Sequence, residues 1–188
     1  MSLFTSHRER RLWLWALAVV VAIYSTLGLA GKLARALQKS QMLEISFAVG
    51  LLLVVVAILT SGLTRRPALG EIGMMLGILT VYGMVVVRMG ISPAERTHLF
   101  EYGLLAVLIH QALEERSRPR RRAMLSITLA VVITALLGWL DEGIQAVLPN
   151  RYYDVRDVGF NALAGAMAIA ANRALAWARA RSIRSQIR

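Results

Sequence analysis

Six long apolar stretches follow one another along this chain, separated by short charged connections. In chain order they cover residues 12–30, 45–63, 72–87, 99–113, 125–140 and 158–177. A helix needs roughly 20 apolar residues to cross the hydrocarbon core of a bilayer, within a range of about 17–25. The third, fourth and fifth stretches reach that length only if flanking residues such as Gly70, Glu71, Arg96 or His98 join the helix. The pattern predicts an all-α polytopic transmembrane bundle of about six spans.

The composition agrees with this class, since 57% of the residues are hydrophobic and soluble domains are usually nearer 45–50%. No long hydrophilic segment is left for a second domain and no internal repeat is visible, so we expect a single membrane domain over residues 1–188. The chain contains no cysteine, which excludes disulfides and thiolate metal sites.

The basic residues predict the orientation of the chain. Fifteen of them fall on one side of the expected spans, at positions 8, 10, 11, 65, 66, 116, 118, 120–122, 173, 179, 181, 184 and 188, and seven on the other, at 32, 35, 39, 88, 96, 151 and 156. Because cytoplasmic loops carry the excess of Lys and Arg, both termini are expected in the cytoplasm, with an even number of spans. The net charge of +11 is accordingly attributed to contacts with anionic membrane lipids and not with nucleic acid, since no basic helix interleaves aromatic residues with its charges.

The first apolar stretch follows a basic leader and could also be read as a signal peptide. Its apolar part is longer than the usual core of about 7–15 residues, so we expect a retained helix.

The segment "ERTHLFEYGLL" begins the fourth span with ionisable groups. Pro93 suits the first turn of a helix, and Ser92 can cap it. His98 and Tyr102 then lie four residues apart on one face, and Glu101 lies three residues past His98. A carboxylate beside a histidine is a natural acid/base or metal-ligand pair. The alternative is a helix end in the lipid head-group region, where such residues are tolerated.

A second polar segment, "DEGIQAVLPNRYYDVRD", joins the fifth and sixth spans. Asp141, Glu142 and Gln145 extend the fifth helix by about one turn, and Pro149 ends or redirects the chain. Either Asp154 or Asp157 can cap the sixth helix. Asn161 follows one turn after Asp157 within a run rich in Ala and Gly, which allows close helix packing. A polar residue within a span usually faces the protein interior or a wet cavity, so both segments are expected to share one pocket at the outer leaflet.

Together these two segments resemble the VanZ-like family of bacterial membrane proteins, over roughly residues 90–170. The matching positions are Arg96, His98, Glu101, Tyr102, Asp141, Glu142, Gln145, Pro149, Arg151, Asp157 and Asn161. Asn150 stands where a glycine is common in the family, and the small residue after Asn161 comes as Ala164 and Gly165. The resemblance implies a small helical bundle in the bacterial cytoplasmic membrane with its polar motifs on one side. The family's namesake is linked to low-level resistance to the glycopeptide teicoplanin.

One functional hypothesis is an envelope enzyme that acts on an anionic lipid head group or a lipid-linked cell-wall precursor. Arg96 and Arg151 would bind phosphate or carboxylate, and His98, tuned by Glu101, would be the general acid or base. The acids Asp141, Glu142 and Asp157 would orient a water or hold a divalent cation such as Mg²⁺ or Ca²⁺. Because these acids could serve either role, the cofactor stays open and none of them is assigned as a metal ligand. The remaining site positions, expected to contact the substrate, are Tyr102, Gln145 and Asn161.

Two alternatives stay open. The chain could be a non-catalytic module that binds a lipid or a glycopeptide, in which case the acids pair with the arginines. It could also be a proton- or ion-coupled transporter, although the polar groups gather on one face and no inverted repeat is visible.

Overall fold

The structure, a computed structural model, describes residues 4–39, 69–88, 93–117, 123–148 and 153–186. These residues form five α-helices and no strand. The helices are α1 (His7–Lys39), α2 (Leu69–Arg88), α3 (Pro93–Ser117), α4 (Ala123–Val147) and α5 (Val155–Gln186). The all-α prediction is confirmed for this part of the chain. Five of the six predicted spans fall within these helices, and the second, residues 45–63, lies outside the described residues.

Two helix starts follow directly from the sequence. Helix α3 begins at Pro93, whose fixed backbone angle suits the first helical position. Helix α5 begins at Val155, and the Oδ1 atom of Asp154 accepts a hydrogen bond from the backbone N–H of Arg156 at 2.8 Å. Asp154 is therefore the N-cap of α5, one of the two residues that the sequence offered for this role.

Helix α4 has the reverse of the pattern seen in a soluble protein. Its buried face carries small and polar residues, namely Ser126, Ala130, Thr134, Gly138, Asp141, Glu142 and Gln145. Its exposed face carries large apolar side chains, among them Leu125, Leu129, Val132, Leu136 and Leu140. Of the described helices, α4 is the one both long and apolar enough to cross a membrane, and Leu69–Val85 within α2 is a shorter apolar helix.

The described residues divide into two compact units, one drawn from Met1–Gly31 and Glu95–Ala170 and the other from Lys32–Ala94 and Ala171–Arg188. The first unit has an apolar core in which Ile23, Leu105, Ile109 and Ile169 are at most 4% exposed. In the second unit, the Nε atom of Arg179 donates to Oε1 of Glu71 at 2.6 Å. The guanidinium of Arg181 lies 5.2 Å from the ring centre of Trp177.

Small residues let the helices of the first unit approach closely. A Cβ atom added at Gly165 of α5 would lie 3.0 Å from Cβ of Ala106 in α3 and 3.2 Å from Cγ2 of Thr134 in α4. A Cβ atom added at Gly103 would lie 3.3 Å from Cβ of Ala168. The Ala- and Gly-rich run of α5 is thus the surface on which α3 and α4 pack, as small residues do between membrane helices.

A polar cluster attaches the start of α1 to the end of α3, and we call it the Glu9 cluster. It consists of Thr5, Ser6, Arg8, Glu9, Glu115 and Arg116. The Ser6 hydroxyl accepts from the Glu9 backbone at 3.0 Å and donates to Glu115 at 3.0 Å, so it caps α1 and binds α3 at once. The Glu9 carboxylate accepts from both the amide and the hydroxyl of Thr5 at 2.7 Å and lies 3.5 Å from Arg116.

The side chain of Glu9 is shielded from solvent by its neighbours, and this burial opposes its ionisation. The hydrogen bonds from Thr5 and the nearby Arg116 guanidinium outweigh this effect, so the pKa of Glu9 lies below its usual value. The carboxylate therefore stays ionised at neutral pH and holds the start of α1 in place.

Candidate functional site

His98 and Asp141 bring the two polar segments of the sequence together. Nδ1 of His98, in the second turn of α3, lies 3.5 Å from Oδ2 of Asp141, near the end of α4. The Asp141 side chain is fully buried and that of His98 is 16% exposed. A distance of 3.5 Å is within ion-pair range and long for a hydrogen bond, although catalytic contacts often tighten only when substrate binds. The two polar segments of the sequence therefore meet at this pair, while the shared pocket at the outer leaflet stays a prediction.

Tyr102 packs against the imidazole ring of His98. It lies one turn further along α3, and the two rings stack with centres 5.7 Å apart and planes 17° from parallel. Tyr102 is completely buried, and Asp141 acts electrostatically on its hydroxyl. The stacking fixes the imidazole ring in front of the carboxylate, which is the kind of orientation that an acid/base histidine needs.

Glu101 lies beside His98 on α3, and its tuning of that imidazole stays a prediction. The carboxylate found at Nδ1 of His98 is that of Asp141, a pairing that the sequence did not single out. Glu101 is half-buried, and it acts electrostatically on both members of the pair from the next residues of α3. Glu101 lies three residues after His98 on the same helix, so its side chain lies beside the imidazole. Asp141 lies on the facing helix α4, so its carboxylate can lie in front of the ring.

Glu142 joins α4 to α5. One of its carboxylate oxygens accepts from the side-chain amide of Gln145 at 3.3 Å, and the other accepts from the backbone N–H of Asp154 at 3.1 Å. Glu142 and Gln145 are both buried. Since Asp154 itself caps α5, Glu142 fixes the position at which the last helix of the site begins.

Asn161 contributes a buried amide from α5. It is 1% exposed, and neither its amide nitrogen nor its amide oxygen has a hydrogen-bonding partner within the described part of the chain. Leaving such a group unsatisfied costs about 1–3 kcal/mol. Asp157, one turn earlier, is half-buried and acts electrostatically on Glu142. Because the amide of Asn161 is buried without a partner at this cost, Asn161 is a candidate for binding a ligand.

The His–Asp site, as we call it, thus consists of His98, Tyr102, Asp141, Glu142, Gln145 and Asn161, with Glu101 and Asp157 at its edge. The remaining predicted site residues cannot be added to it. Arg151 and Pro149 lie outside the described residues, and so does the side chain of Arg96, whose backbone lies in the first turn of α3. Among the described residues, no group of three or more His, Cys, Asp or Glu side chains is arranged to hold a metal ion.

Sequence reasoning missed two residues of this region. Tyr24 of α1 donates from its hydroxyl to the backbone carbonyl of Leu137 at 2.8 Å, one turn before Asp141, and Asp141 acts electrostatically on it. Gly138 lies directly against Asn161, because a Cβ atom added to it would be 2.8 Å from both Cβ and Nδ2 of that residue. Both residues lie within apolar runs, where neither spacing nor composition distinguishes them.

Comparison with known proteins yields no relative: no family model, no curated protein and no solved structure matches this chain.

Proposed function

We propose that this chain is a VanZ-like protein of the bacterial cytoplasmic membrane, with about six spans, both termini in the cytoplasm and a single membrane domain. The proposal is supported by α4, which presents large apolar side chains outward and small and polar ones inward. Without a bilayer, such an exposed apolar face would be in contact with water over the length of the helix. The bias of basic residues, fifteen against seven, supports the orientation.

In this orientation the His–Asp site faces the outer leaflet, and there it acts on or binds an anionic lipid head group or a lipid-linked cell-wall precursor. The observation that carries this proposal is the His98–Asp141 pair, a buried carboxylate at 3.5 Å from an oriented imidazole. A histidine oriented by a carboxylate is a common arrangement for general acid/base catalysis. In this proposal Arg96 and Arg151 bind the phosphate, because a guanidinium offers a planar fork of donors.

A non-catalytic binding module is the second candidate, and the contacts of Glu142 favour it. Both oxygens of this carboxylate are used in hydrogen bonds to Gln145 and to the start of α5, so Glu142 acts as a structural residue in this structure. A module of this kind would bind the precursor or the glycopeptide without turnover. The resemblance to the VanZ-like family, whose namesake is linked to teicoplanin resistance, extends either candidate to a role in resistance of this type.

The two candidates are separated by measuring turnover and retention of lipid on the same purified protein in nanodiscs. The substrates are anionic phospholipids and a lipid-linked cell-wall precursor, followed by mass spectrometry. We expect His98→Gln to abolish turnover while lipid is still retained. The matched control is His110→Gln, since His110 is also buried and also on α3 but is outside the His–Asp site.

The remaining outcomes also decide between functions. If the wild-type protein retains lipid without turnover and Arg151→Ala loses that retention, the chain is a binding module. If the wild-type protein neither turns over nor retains any of these lipids, the proposed function is wrong. Uptake of a solute driven by a proton gradient would show transport instead.

A further inference from the structure

The buried end of the His–Asp site contains carboxylates, whereas a phosphate-binding site needs positively charged or hydrogen-bond-donating groups. The buried carboxylate of Asp141 acts electrostatically on Glu101 and on Glu142, and Asp157 acts on Glu142. Like charges repel more strongly where bulk water is excluded, as it is around the buried Asp141 and Glu142. An anionic group is therefore disfavoured at this depth, and a phosphate has to stay further out.

Asn161 and Tyr102 lie at the same level of the bundle, just beneath the His98–Asp141 pair. The side chain of Asn161 lies against Gly138, three residues before Asp141. Tyr102 lies one turn beneath His98 and stacks on it, and α3 runs antiparallel to α4, since His98 meets Asp141 at one end and Ser117 meets Ser126 at the other. The side chains of Asn161 and Tyr102 therefore both lie beside the turn of α4 that runs from Gly138 to Asp141.

The hydrogen-bonding capacity of these two side chains limits what can bind them. The Asn161 amide offers two donors and an acceptor. The Tyr102 hydroxyl is directed at Asp141, and when it donates to that carboxylate its oxygen can still accept from a ligand. Within the described part of the chain, the amide atoms of Asn161 have no partner although this residue is 1% exposed. An ammonium group donates only, so it would leave the amide N–H groups without an acceptor. A hydroxyl group donates and accepts, and it carries no charge that the carboxylates repel.

We propose that Asn161 and Tyr102 form a subsite for an uncharged hydroxyl group of the lipid, with the phosphate held further out. The proposal rests on the proposed function and narrows its substrate class to lipids whose head group carries a hydroxyl beyond the phosphate or sugar linkage. Two sources supply that chemistry, the glycerol of a phosphoglycerol head group and the sugar of a glycolipid.

The test compares two lipids that differ in head-group hydroxyls alone. Phosphatidylglycerol and phosphatidylpropanol have the same charge and nearly the same size, and only the first has free hydroxyls. Retention of each by the full-length protein is measured by native mass spectrometry, with a diglucosyl diacylglycerol as a third arm. We expect the wild-type protein to prefer phosphatidylglycerol about tenfold, which is the discrimination expected from about one hydrogen bond.

Two substitutions assign the preference to the subsite. Asn161→Leu removes the amide and keeps the approximate size, and it should reduce the preference to within about twofold. Tyr102→Phe removes one hydroxyl with little change of shape, so it keeps the test informative if Asn161→Leu does not fold. The matched control is Asn172→Leu, an exposed asparagine on the same helix, which should leave the preference unchanged.

Each outcome has one meaning. Retention of the glycolipid above phosphatidylglycerol supports the subsite with a sugar as the source of the hydroxyl. Equal retention of phosphatidylglycerol and phosphatidylpropanol by the wild-type protein overturns the inference and leaves the proposed function standing. A preference that survives both Asn161→Leu and Tyr102→Phe also overturns it. If the wild-type protein retains none of the three lipids, the inference is overturned, and retention of the lipid-linked cell-wall precursor then decides whether the proposed function stands.

Discussion

Gly138 and Asn161 are in such close contact that a Cβ atom added to Gly138 would lie 2.8 Å from both Cβ and Nδ2 of Asn161. Helix α4 and helix α5 can approach this closely only because residue 138 has no side chain. The contact holds the Asn161 amide beneath the His98–Asp141 pair, so the geometry of the site depends on a glycine that takes no part in its chemistry.

Gly138→Ala should therefore destabilise the protein by about 1–3 kcal/mol, the usual range for overpacking a closely packed interior. Thermal unfolding in nanodiscs measures the effect. Gly143→Ala is the matched control on the same helix, since nothing lies within 4 Å of a Cβ atom added there, and this substitution should stabilise the helix by up to about 1 kcal/mol. Equal stabilities of the two variants would show that α4 and α5 are not in close contact at Gly138 and Asn161.

A disulfide between α3 and α5 should form in the variant Gly103→Cys/Ala168→Cys. A Cβ atom at position 103 would lie 3.3 Å from that of Ala168, close to the separation of about 3.5–4.5 Å found in disulfides. The natural chain has no cysteine, so a cross-link within one chain, detected as a gel shift of the monomer, comes from this pair. Leu104→Cys/Ala168→Cys should not cross-link. Leu104 is exposed, whereas Gly103 lies against Ala168 of α5. Cross-linking of both pairs to the same extent would contradict the packing.

Asp154→Ala should loosen the start of α5, because it removes the side chain that accepts from the Arg156 backbone at 2.8 Å. The loss of an N-cap costs about 0.5–2 kcal/mol. Hydrogen exchange of the Arg156 amide should therefore be faster in this variant, whereas Asp154→Ser, which retains a capping oxygen, should exchange nearly as slowly as the natural chain. Unchanged exchange in Asp154→Ala would mean that another group caps the helix.

The Glu9 cluster predicts a dependence of stability on pH. Hydrogen bonds from Thr5 and the Arg116 guanidinium outweigh the effect of burial and hold the pKa of Glu9 below its usual value of 4.5. A carboxyl group with a lowered pKa stabilises the folded state above its unfolded pKa. This contribution is lost as the pH falls from about 4.5 through the lower pKa of the folded state.

Thermal unfolding measured between neutral pH and pH 3 tests this. We expect Glu9→Gln to lower the stability at neutral pH and to flatten its decline in acid. Glu114→Gln is the control, because Glu114 is also a carboxylate on the described helices but is 45% exposed. If the plot of stability against pH for Glu9→Gln runs parallel to that of the natural chain, ionisation of Glu9 does not stabilise the folded state.

Much of the helical framework could be predicted from the sequence because its signals are local. Pro93 marks the start of α3, and the polar residues after the fifth apolar stretch extend α4 to Val147. Asp154 is a capping residue placed one turn before the apolar run that begins at residue 158. Each of these features depends on residues within one or two helical turns, so hydrophobic periodicity and capping preferences are enough to find them.

Contacts between distant parts of the chain could not be predicted in the same way. The sequence placed Glu101 beside His98 because the two are helix neighbours, but the pairing of His98 with Asp141 depends on how α3 and α4 pack. The Ser6–Glu115 hydrogen bond joins residues 109 positions apart, and the Tyr24–Leu137 contact joins residues 113 positions apart. No spacing rule connects such positions, since side-chain periodicity describes a single helix and not its neighbours.

The pairing of His98 with Asp141 is the central claim, and nitrogen NMR of the imidazole side chains tests it most directly. The chain has three histidines, so His7→Gln and His110→Gln assign the His98 signals in labelled protein held in nanodiscs. Asp141→Asn should change the Nδ1 chemical shift of His98 because it neutralises the carboxylate 3.5 Å away, and Asp157→Asn should change it far less. A His98 signal that is the same in the natural protein and in folded Asp141→Asn would contradict the pairing.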